Sequence, residues 1–299
     1  MKKLKIGYFA DGPWSHRAFE KIIMKDHIEV AFIVPRTDTT DSTLKGYCEK
    51  YTIPYLTGFN INSDAFYEAA SAYQCDLFVS MSFNQIFKER IMTLPPLGTI
   101  NCHAGKLPFY RGRNILNWAL INDEKEFGVT VHYVDNSIDT GDIILQECYP
   151  IMDESNYNTL LLTAYDGCAD VLSQAIDIIA ADQVTRIVQT SIHPVGMYCG
   201  ARRAGDEILN WNQPSRHVFN FIRAICDPGP MAHTRLNEHI VKINQCAQIP
   251  GAPSYIGVAG QIVGKTTRGW VVKTSDTTVE IFDIHTEAKL KIGDRFTWQ

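Results

Sequence analysis

The segment INCHAGKLPFYRGRNILNWALIN, residues 100–122, contains a strand-like run, then a basic and aromatic turn, and then a helical pattern. Alternate residues of a strand face the same side, so Asn101 and His103 are expected to point into one cleft. The amide and the imidazole are then either a structural hydrogen-bonding pair or two polar groups directed at a substrate. Further polar groups at the same strand end would favour the second interpretation.

The residues on both sides of this segment alternate between strand and helix patterns, which is typical of a mostly parallel sheet with crossover helices. Strands are predicted at residues 5–9, 27–35, 53–56, 75–83, 100–103, 128–135 and 142–151, and helices at residues 15–26, 41–51, 63–74, 88–94, 112–122 and 161–179. Ser15 is the predicted N-cap of the first helix. The sequence therefore predicts an α/β fold with a doubly wound, mostly parallel, Rossmann-like sheet in a first domain at residues 1–185.

The periodicity changes after Asp182. Residues 186–204 show no sustained period and are predicted to form a linker. A helix is predicted at residues 214–227, and short β-like runs follow at residues 257–265, 269–275 and 278–284. These features predict a smaller β-rich C-terminal domain at residues 205–299.

The 299 residues carry a net charge of -5, and 45 % of them are hydrophobic and 20 % charged. This composition is typical of a soluble globular protein, and its acidic balance argues against nucleic acid or an anionic membrane as a partner. No apolar run approaches the ~20 residues of a membrane helix, and the N-terminal residues indicate a first strand rather than a signal peptide. Eight scattered cysteines without metal spacing favour reduced thiols in a cytoplasmic protein.

The common nucleotide and hydrolase fingerprints do not occur. The first strand–helix turn, residues 9–16, lacks a G-x-G-x-x-G pattern, and the chain has neither a P-loop nor a G-x-S-x-G elbow. Ligands of doubly wound sheets bind at the carboxyl ends of the strands, where Asn101 and His103 are expected. The loop DNSIDTGD, residues 135–142, adds Asp139, although a lone Asp-Thr-Gly is also an ordinary turn. An amide, an imidazole and a carboxylate together can bind an oxyanion, move a proton and tune the imidazole.

The order of several motifs resembles one enzyme family. The motifs are N-x-H at residues 101–103, LPFYRG at residues 107–112, Trp118, and GVTVHYVDNSIDTGDIILQ at residues 128–146. Together they are similar to the N10-formyltetrahydrofolate-dependent formyltransferases over the whole first domain. The resemblance implies a Rossmann-like formyltransferase domain, N10-formyltetrahydrofolate as co-substrate, formyl transfer without a metal, and catalytic roles for Asn101, His103 and Asp139.

Members of this family differ in the amine that they formylate. The glycinamide ribonucleotide enzymes lack a second domain, so the length of this chain argues against that acceptor. The initiator-tRNA enzymes carry a basic insertion where this chain has PRTDTTDSTLKG, residues 35–46, and they usually read S-L-L-P and R-G-A-A-P where it has AGKLP and RGRNI. Residues 103–128 are most similar to enzymes for dTDP-linked amino-dideoxyhexoses. The best match is dTDP-4-amino-4,6-dideoxyglucose, with the 3-amino isomer open and methionyl-tRNA formyltransferase as the alternative.

The resemblance to sugar formyltransferases also implies a set of partners. These are a small-molecule nucleotide sugar and a second copy of the chain in a homodimer, with no nucleic acid and no membrane. The biological context that it implies is lipopolysaccharide O-antigen biosynthesis.

The resemblance also implies binding roles for residues at and after strand ends. It implies folate contacts for Met81, Phe83, Gln85, Ile86 and Asp135, and acceptor contacts are predicted for Trp14, Arg17, Lys106, Tyr110 and Arg111. Cationic side chains of the second set would suit a pyrophosphate. Strand-end packing of the apolar residues and a solvated surface turn for the basic ones are the alternatives. His132 and Cys102 are predicted to be structural, Cys102 because it faces away from His103.

Overall fold

The computed structural model describes residues 3–298, which form two compact units. Within these residues, unit 1 comprises residues 3–112, 127–149 and 162–199, and unit 2 comprises residues 113–126, 150–161 and 200–298. The units therefore interleave along the chain. The linear limits at residues 1–185, 186–204 and 205–299 stay a prediction.

Strands and helices alternate through the first part of the chain, and strands predominate at its C-terminal end. Among the described residues, the strands are β1 (Leu4–Ala10), β2 (Ile28–Pro35), β3 (Leu77–Met81), β4 (Thr99–His103), β5 (Arg111–Gly112), β6 (Glu126–Tyr133), β7 (Ile143–Pro150), β8 (Tyr198–Cys199), β9 (Ala232–Leu236), β10 (His239–Gln248), β11 (Ile262–Lys265), β12 (Trp270–Lys273) and β13 (Thr278–His285). The helices in the same residues are α1 (Gly12–Ile22), α2 (Ser42–Tyr51), α3 (Asp64–Ser71), α4 (Glu89–Met92), α5 (Ile115–Ile121), α6 (Tyr157–Ala180), α7 (Gln189–Ile192) and α8 (Ser215–Ile225).

Unit 1 is built on a six-stranded sheet in the order β2-β1-β3-β4-β6-β7. The pairs β1–β2, β1–β3 and β3–β4 are parallel, and β6 is antiparallel to β4. β3 is buried at every position, and β1 and β2 are almost continuous apolar runs, as expected of strands covered on both faces. The predicted α/β class with a mostly parallel sheet is confirmed.

Phe9 on β1 is the centre of an aromatic cluster in the core of unit 1. Its ring lies 5.8 Å from Phe32, 5.0 Å from Phe78 and 4.9 Å from Phe87, in the edge-on arrangements that aromatic pairs prefer. All four side chains are buried. Because such cores are closely packed, the cluster holds β1, β2 and β3 in fixed positions.

The start of α1 differs from the prediction, so Ser15 as its N-cap is wrong. The helix begins at Gly12 with Asp11 at the N-cap, and Ser15 Oγ donates a hydrogen bond to Gly12 O inside the first turn. Pro13 explains the earlier start, because its fixed backbone angle suits the first turn of a helix and it lacks an N–H that would need a partner.

Two other segments also differ from their predicted structure. Residues 53–56 form no strand, and Tyr55 makes a single bridge to Ile33, since Pro54 has no N–H for a longer ladder. Residues 186–204, predicted as a linker, contain α7 and β8, and β8 pairs in parallel with β5. Elements this short have too few residues to show a period in the sequence.

Unit 2 contains a five-stranded antiparallel sheet in the order β11-β12-β13-β10-β9 and includes α5 and α8. The predicted β-rich C-terminal region is confirmed. The sequence patterns predict β11, β12 and β13 but miss β9 and β10. Buried Thr234 weakens the apolar alternation of β9, and Asn237 makes the connecting turn in a left-handed conformation with φ 53°.

Candidate active site

Strands β4 and β6 place an amide and two imidazoles on one face of the sheet. Asn101 and His103 lie on β4, and the antiparallel register sets Asn101 opposite His132 and His103 opposite Thr130. Residues opposite one another in such a pair project to the same face, and residues two apart on one strand do so as well. The side chains of Asn101, His103 and His132 therefore lie on one face, as the period of a strand predicted for Asn101 and His103.

His103 is a buried imidazole with one nitrogen bound to a backbone carbonyl. Its Nε2 lies 2.8 Å from Tyr110 O, so Nε2 carries the hydrogen and donates it. Its Nδ1 lies 3.7 Å from Asp139 Oδ2 and keeps its lone pair in the neutral ring. Burial lowers the pKa of His103, and attraction to Asp139 offsets this only in part. The neutral ring thus presents a proton acceptor beside a carboxylate that would stabilise the imidazolium.

Asp139 is held between the two imidazoles in a strained backbone conformation. Its φ of 55° lies in the left-handed region, which few residues other than glycine adopt. Oδ2 accepts a hydrogen bond of 2.8 Å from Gly112 N, and Oδ1 lies 3.4 Å from His132 Nε2. Burial raises the pKa of Asp139, but His103, His132 and the Gly112 N–H together bring it well below its usual range. The carboxylate is therefore ionised at neutral pH.

His132 is a member of the site that sequence reasoning missed. Its Nδ1 donates a hydrogen bond of 2.8 Å to Tyr133 O, so in the neutral ring Nε2 accepts one from Asn101 Nδ2, which lies 3.3 Å away. In the protonated ring Nε2 would instead donate toward Asp139 Oδ1 at 3.4 Å. Its side chain is buried. The signal that could have found it is the antiparallel register of β6 against β4, which places His132 opposite Asn101. A single sequence does not fix such a register.

Three of the residues predicted to contact folate are apolar and lie at or after the end of β3. Met81 ends β3 and is 1 % exposed, while Phe83 packs 5.6 Å from the Phe9 ring. Ile86 is 71 % exposed and presents its side chain to solvent. Their contacts with folate stay predictions.

The two polar residues of that set organise loops. Gln85 Oε1 accepts a hydrogen bond from Ile61 N, and its Nε2 donates to Phe59 O, both at 3.0 Å. Asp135 Oδ1 accepts a hydrogen bond of 2.5 Å from Thr140 Oγ1, inside the loop that carries Asp139. Both side chains therefore shape the backbone at strand ends, and a direct contact with folate stays a prediction.

Trp14 and Arg17, predicted to contact the acceptor, lie on α1 and contact α6. The Trp14 ring is 4.6 Å from the Tyr165 ring in an edge-on arrangement, and the Arg17 guanidinium lies 5.5 Å from the same ring. Arg17 also forms an ion pair with Asp166. A phosphate at Arg17 would have to compete with this carboxylate.

Lys106 and Tyr110 lie in the turn that follows β4, and Arg111 begins β5 directly after it. Tyr110 has a φ of 55° and supplies the carbonyl that binds His103. Arg111 is buried, and its guanidinium donates hydrogen bonds to Gln189. Lys106 passes so close to Gly128 that a Cβ there would lie 2.8 Å from the Lys106 Cα. The turn is thus part of the site, and phosphate contacts of its basic residues stay predictions.

The described residues give no support for a metal site, a membrane-spanning helix or a cysteine nucleophile at Cys102. Within residues 3–298, no group of three or more His, Cys, Asp or Glu side chains could hold a metal ion. No helix in the same residues is both long and apolar enough to cross a membrane. Cys102 is buried with its Sγ 3.6 Å from Cys168 O, and burial raises the pKa of its thiol well above the usual value. Cys102 is therefore a poor nucleophile.

Two protein-family models match the chain. The model described as formyl transferase matches residues 21–187, and the model described as formyl transferase, C-terminal domain, matches residues 203–296. The first match contains Asn101, His103, His132 and Asp139.

The proteins related to this chain by sequence and the proteins similar to it in structure are named for different acceptors. Methionyl-tRNA formyltransferase of Syntrophus aciditrophicus is 33 % identical over 247 residues, which are 81 % of this chain and 76 % of the relative. The structure of WlaRD, a sugar 3N-formyl transferase in the presence of dTDP and 5-N-formyl-THF, matches with a TM-score of 0.72 at 21 % identity and covers 97 % of this chain and 100 % of the other. The N-formyltransferase from Helicobacter canadensis in complex with folinic acid and dTDP-3-aminofucose has a TM-score of 0.72 at 22 % identity, covering 95 % of this chain and 100 % of the other. At such identities the structural likeness shows a shared fold.

Proposed function

The chain belongs to the formyl transferase family, and from this premise we propose that it formylates the amine of a nucleotide-linked amino-dideoxyhexose with N10-formyltetrahydrofolate. Family membership makes it an N-formyltransferase, so the acceptor is the part that needs support. The preferred acceptor is dTDP-4-amino-4,6-dideoxyglucose, followed by its 3-amino isomer. A homodimer and a place in O-antigen biosynthesis belong to the same proposal.

His103 and Asp139 supply the proton transfers of this reaction. The neutral amine attacks the formyl carbon, and the proton that leaves the amine nitrogen goes to His103 Nδ1, the nitrogen that has a lone pair. The Asp139 carboxylate, 3.7 Å away, stabilises the imidazolium that results. The imidazolium then gives the proton to N10 as the bond between N10 and the formyl carbon breaks. General acid–base catalysis of this kind contributes about 10²- to 10⁴-fold to a rate.

Asn101 supplies a hydrogen bond for the oxyanion that forms on the formyl oxygen. One N–H of its amide points to His132 Nε2 at 3.3 Å, which orients the amide group. The second N–H of the same nitrogen is then available to the developing negative charge. One donor placed in this way lowers the barrier by roughly 2.7–4 kcal/mol.

The observation that carries the choice of acceptor is the connection between β2 and α2. It consists of residues 36–41, and its one basic side chain, Arg36, donates hydrogen bonds of 2.8 and 2.7 Å to Asp38. Asp41 caps α2 at Leu44 N and also accepts from Gly12 N. The connection therefore has no unpaired cation for a polyanion, where the initiator-tRNA enzymes carry a basic insertion. This supports a small acceptor.

Initiator tRNA is the second candidate acceptor. The observation that favours it is the 33 % identity to a protein named methionyl-tRNA formyltransferase. A polynucleotide acceptor needs several cationic contacts to phosphates, and these make binding strongly dependent on salt. The acidic chain, with its net charge of -5, does not favour such contacts over its whole surface.

A panel of acceptors tests the proposal. The purified protein is incubated with N10-formyltetrahydrofolate and one of three acceptors: the dTDP-linked 4-amino sugar, its 3-amino isomer, or charged initiator tRNA. Formylated products are measured by mass spectrometry, with Asp139→Asn as the control of strongly reduced activity. We expect turnover of the 4-amino sugar first, the 3-amino sugar more slowly, and no formylated tRNA. Formylation of tRNA at a rate comparable to the best sugar would overturn the proposal.

A further inference from the structure

Gln189 is a buried amide next to the catalytic carboxylate, in a segment without a sequence period. It opens the short helix α7 and is 2 % exposed. Segments on either side of it are fastened to unit 1, since Ile187 bridges to Ile143 and β8 pairs with β5. A buried side-chain amide is costly unless its donors and acceptors have partners. The partners of Gln189 therefore indicate why an amide lies here.

All four hydrogen-bonding positions of the Gln189 amide are used. Nε2 donates to Asp139 O at 2.9 Å and to Gly141 O at 2.8 Å. Oε1 accepts from Arg111 Nε at 3.1 Å and from Arg111 Nη2 at 2.6 Å. An amide has two donor hydrogens and two acceptor lone pairs, so the environment matches glutamine atom for atom.

Arg111 fixes which way the amide faces. A guanidinium can only donate, so the oxygen of Gln189 must face Arg111 and the NH₂ group must face the carbonyls of the Asp139 loop. Arg111 is itself buried, its backbone N donates to Met197 O at 3.0 Å, and its guanidinium lies 5.4 Å from the Tyr198 ring. A flipped amide would set NH₂ against the guanidinium and oxygen against two carbonyls.

The loop that Gln189 binds contains a residue whose backbone conformation is unfavourable by itself. Asp139 is in the left-handed region at φ 55°, and such a conformation in a non-glycine residue persists when surrounding contacts hold it. Besides the two imidazoles, Asp139 is held by two hydrogen bonds: Gly112 N donates to its carboxylate, and Gln189 donates to its backbone carbonyl. The position of the carboxylate, 3.7 Å from His103 Nδ1, depends on both.

We propose that Gln189 is a positioning residue for formyl transfer, which holds the Asp139 loop so that the carboxylate faces His103. The inference rests on the proposed proton-transfer role of Asp139 and His103. It gives the segment after α6, which contains Gln189, a part in catalysis. Gln189 does not touch the reacting atoms and acts through Asp139. An amide with a purely structural role would stabilise the fold, but catalysis by Asp139 and His103 would not depend on it.

Gln189→Glu is the sharpest substitution. Glutamate has nearly the same shape and keeps an acceptor for Arg111, but it replaces the two donors with an oxygen that repels the carbonyls of Asp139 and Gly141. We expect kcat to fall at least about tenfold, with KM for both substrates changed less than about threefold, since the transition state and not substrate binding is affected. Gln183→Glu makes the same chemical change on an exposed residue of unit 1 and should leave kcat unchanged.

A double-mutant cycle separates positioning from stability. If Gln189 acts through Asp139, then Gln189→Glu should change kcat less than about threefold in an Asp139→Asn background, because residues that act as one unit are not additive. Thermal unfolding of each variant shows whether it is folded during the assay. If the fold losses of kcat in the two single variants multiply in the double variant, the two residues act independently and the proposal is overturned.

Titration of His103 by NMR tests the inference without any substrate. The groups that face His103 are Asp139, His132 and the Tyr110 carbonyl, and of these Asp139 raises its pKa by attraction. Gln189→Met removes the hydrogen bonds without adding charge, so displacement of Asp139 should lower the pKa of His103, whose signal is identified by its loss in His103→Asn. An unchanged pKa in folded Gln189→Met would overturn the inference. If the wild type formylates none of the acceptors, the proposed function fails. The titration of His103 needs no acceptor, so it still decides whether Gln189 positions Asp139.

Discussion

At the scale of single residues, the partners of individual atoms indicate what each side chain can do. Tyr110 O binds the Nε2 hydrogen of His103, which leaves Nδ1 as the nitrogen that can take a proton. His132 Nε2 accepts one hydrogen of the Asn101 amide and so orients the other. Asp139 remains ionised and faces both imidazoles. The resting site therefore combines a neutral base, a fixed carboxylate and an oriented donor.

The pH dependence of kcat/KM should reflect the lowered pKa of His103. Burial disfavours the charged ring, so the ring stays neutral to a lower pH than an exposed histidine, whose pKa is about 6.5. Because the proposed mechanism needs His103 as a neutral base, the contribution of His103 to the acid limb of activity should have its midpoint below that value. The measurement is kcat/KM over the range of about pH 5 to 8.

The same shift gives a second readout in stability. A group whose pKa is lower in the folded state loses its stabilising contribution as the pH falls, because the unfolded chain binds the proton more readily. The free energy of unfolding should therefore decrease below about pH 6.5, and His103→Asn should decrease less over the same range. An equal loss of stability in wild type and His103→Asn over this pH range would contradict the assignment.

Replacing Asp139 by asparagine removes the charge and keeps the shape. The amide oxygen can still accept from Gly112 N, but it cannot stabilise the His103 imidazolium. We expect kcat to fall at least about 10²-fold, at the lower end of general acid–base effects. Asp182→Asn removes one carboxylate from an exposed turn in the same unit and should leave kcat unchanged. A near-normal kcat in Asp139→Asn would show that Asp139 only forms the turn and that its charge is not needed for catalysis.

At the scale of elements, the sequence predicts what depends on local periodicity and misses what depends on register. Asn101 and His103 are two residues apart on β4, so their common face follows from the period of a strand. The position of His132 requires the pairing of β6 with β4, where a slip of one residue would move it to the other face. The role of Gln189 depends on contacts between residues far apart in the chain. Such contacts leave no periodic signal.

The turn between Asp139 and β7 depends on a glycine. A Cβ at Gly141 would lie 1.9 Å from Tyr133 O, a distance that forces the backbone to move. Gly141→Ala should therefore destabilise unit 1 by at least the roughly 1–3 kcal/mol of an overpacked site, and should lower kcat because the Asp139 loop shifts. The measurements are thermal unfolding and formyl transfer on the same preparation.

Gly46 provides the matched control for this substitution. It lies within α2, and an added Cβ there meets nothing within 4 Å. Gly46→Ala should raise stability by up to about 1 kcal/mol, since alanine costs less backbone entropy in a helix, and it should leave kcat unchanged. Equal behaviour of the two variants would show that the close contact at Gly141 is relieved without cost.

At the scale of the whole molecule, the alternation of strands and helices is enough to predict the fold class. The confirmed mostly parallel sheet of unit 1 and the β-rich C-terminal region both follow from patterns within short segments. The interleaving of the two units is not predictable in this way, because it depends on which distant segments pack together. The net charge of -5 is the property of the whole chain that bears most directly on the acceptor.

The effect of salt on the acceptor KM provides the last prediction. A nucleotide sugar offers a single pyrophosphate, whereas tRNA offers many phosphates, and each neutralised phosphate steepens the fall of affinity with salt. Between about 50 and 200 mM KCl, the KM of the best sugar acceptor should rise less than about tenfold, far below the 10³- to 10⁵-fold typical of six to ten phosphate contacts. The value of kcat at saturating acceptor is the control for salt effects on the enzyme itself. A steep rise of KM at constant kcat would indicate a polyanionic acceptor, and it would agree with the name of the sequence relative instead of the sugar proposal.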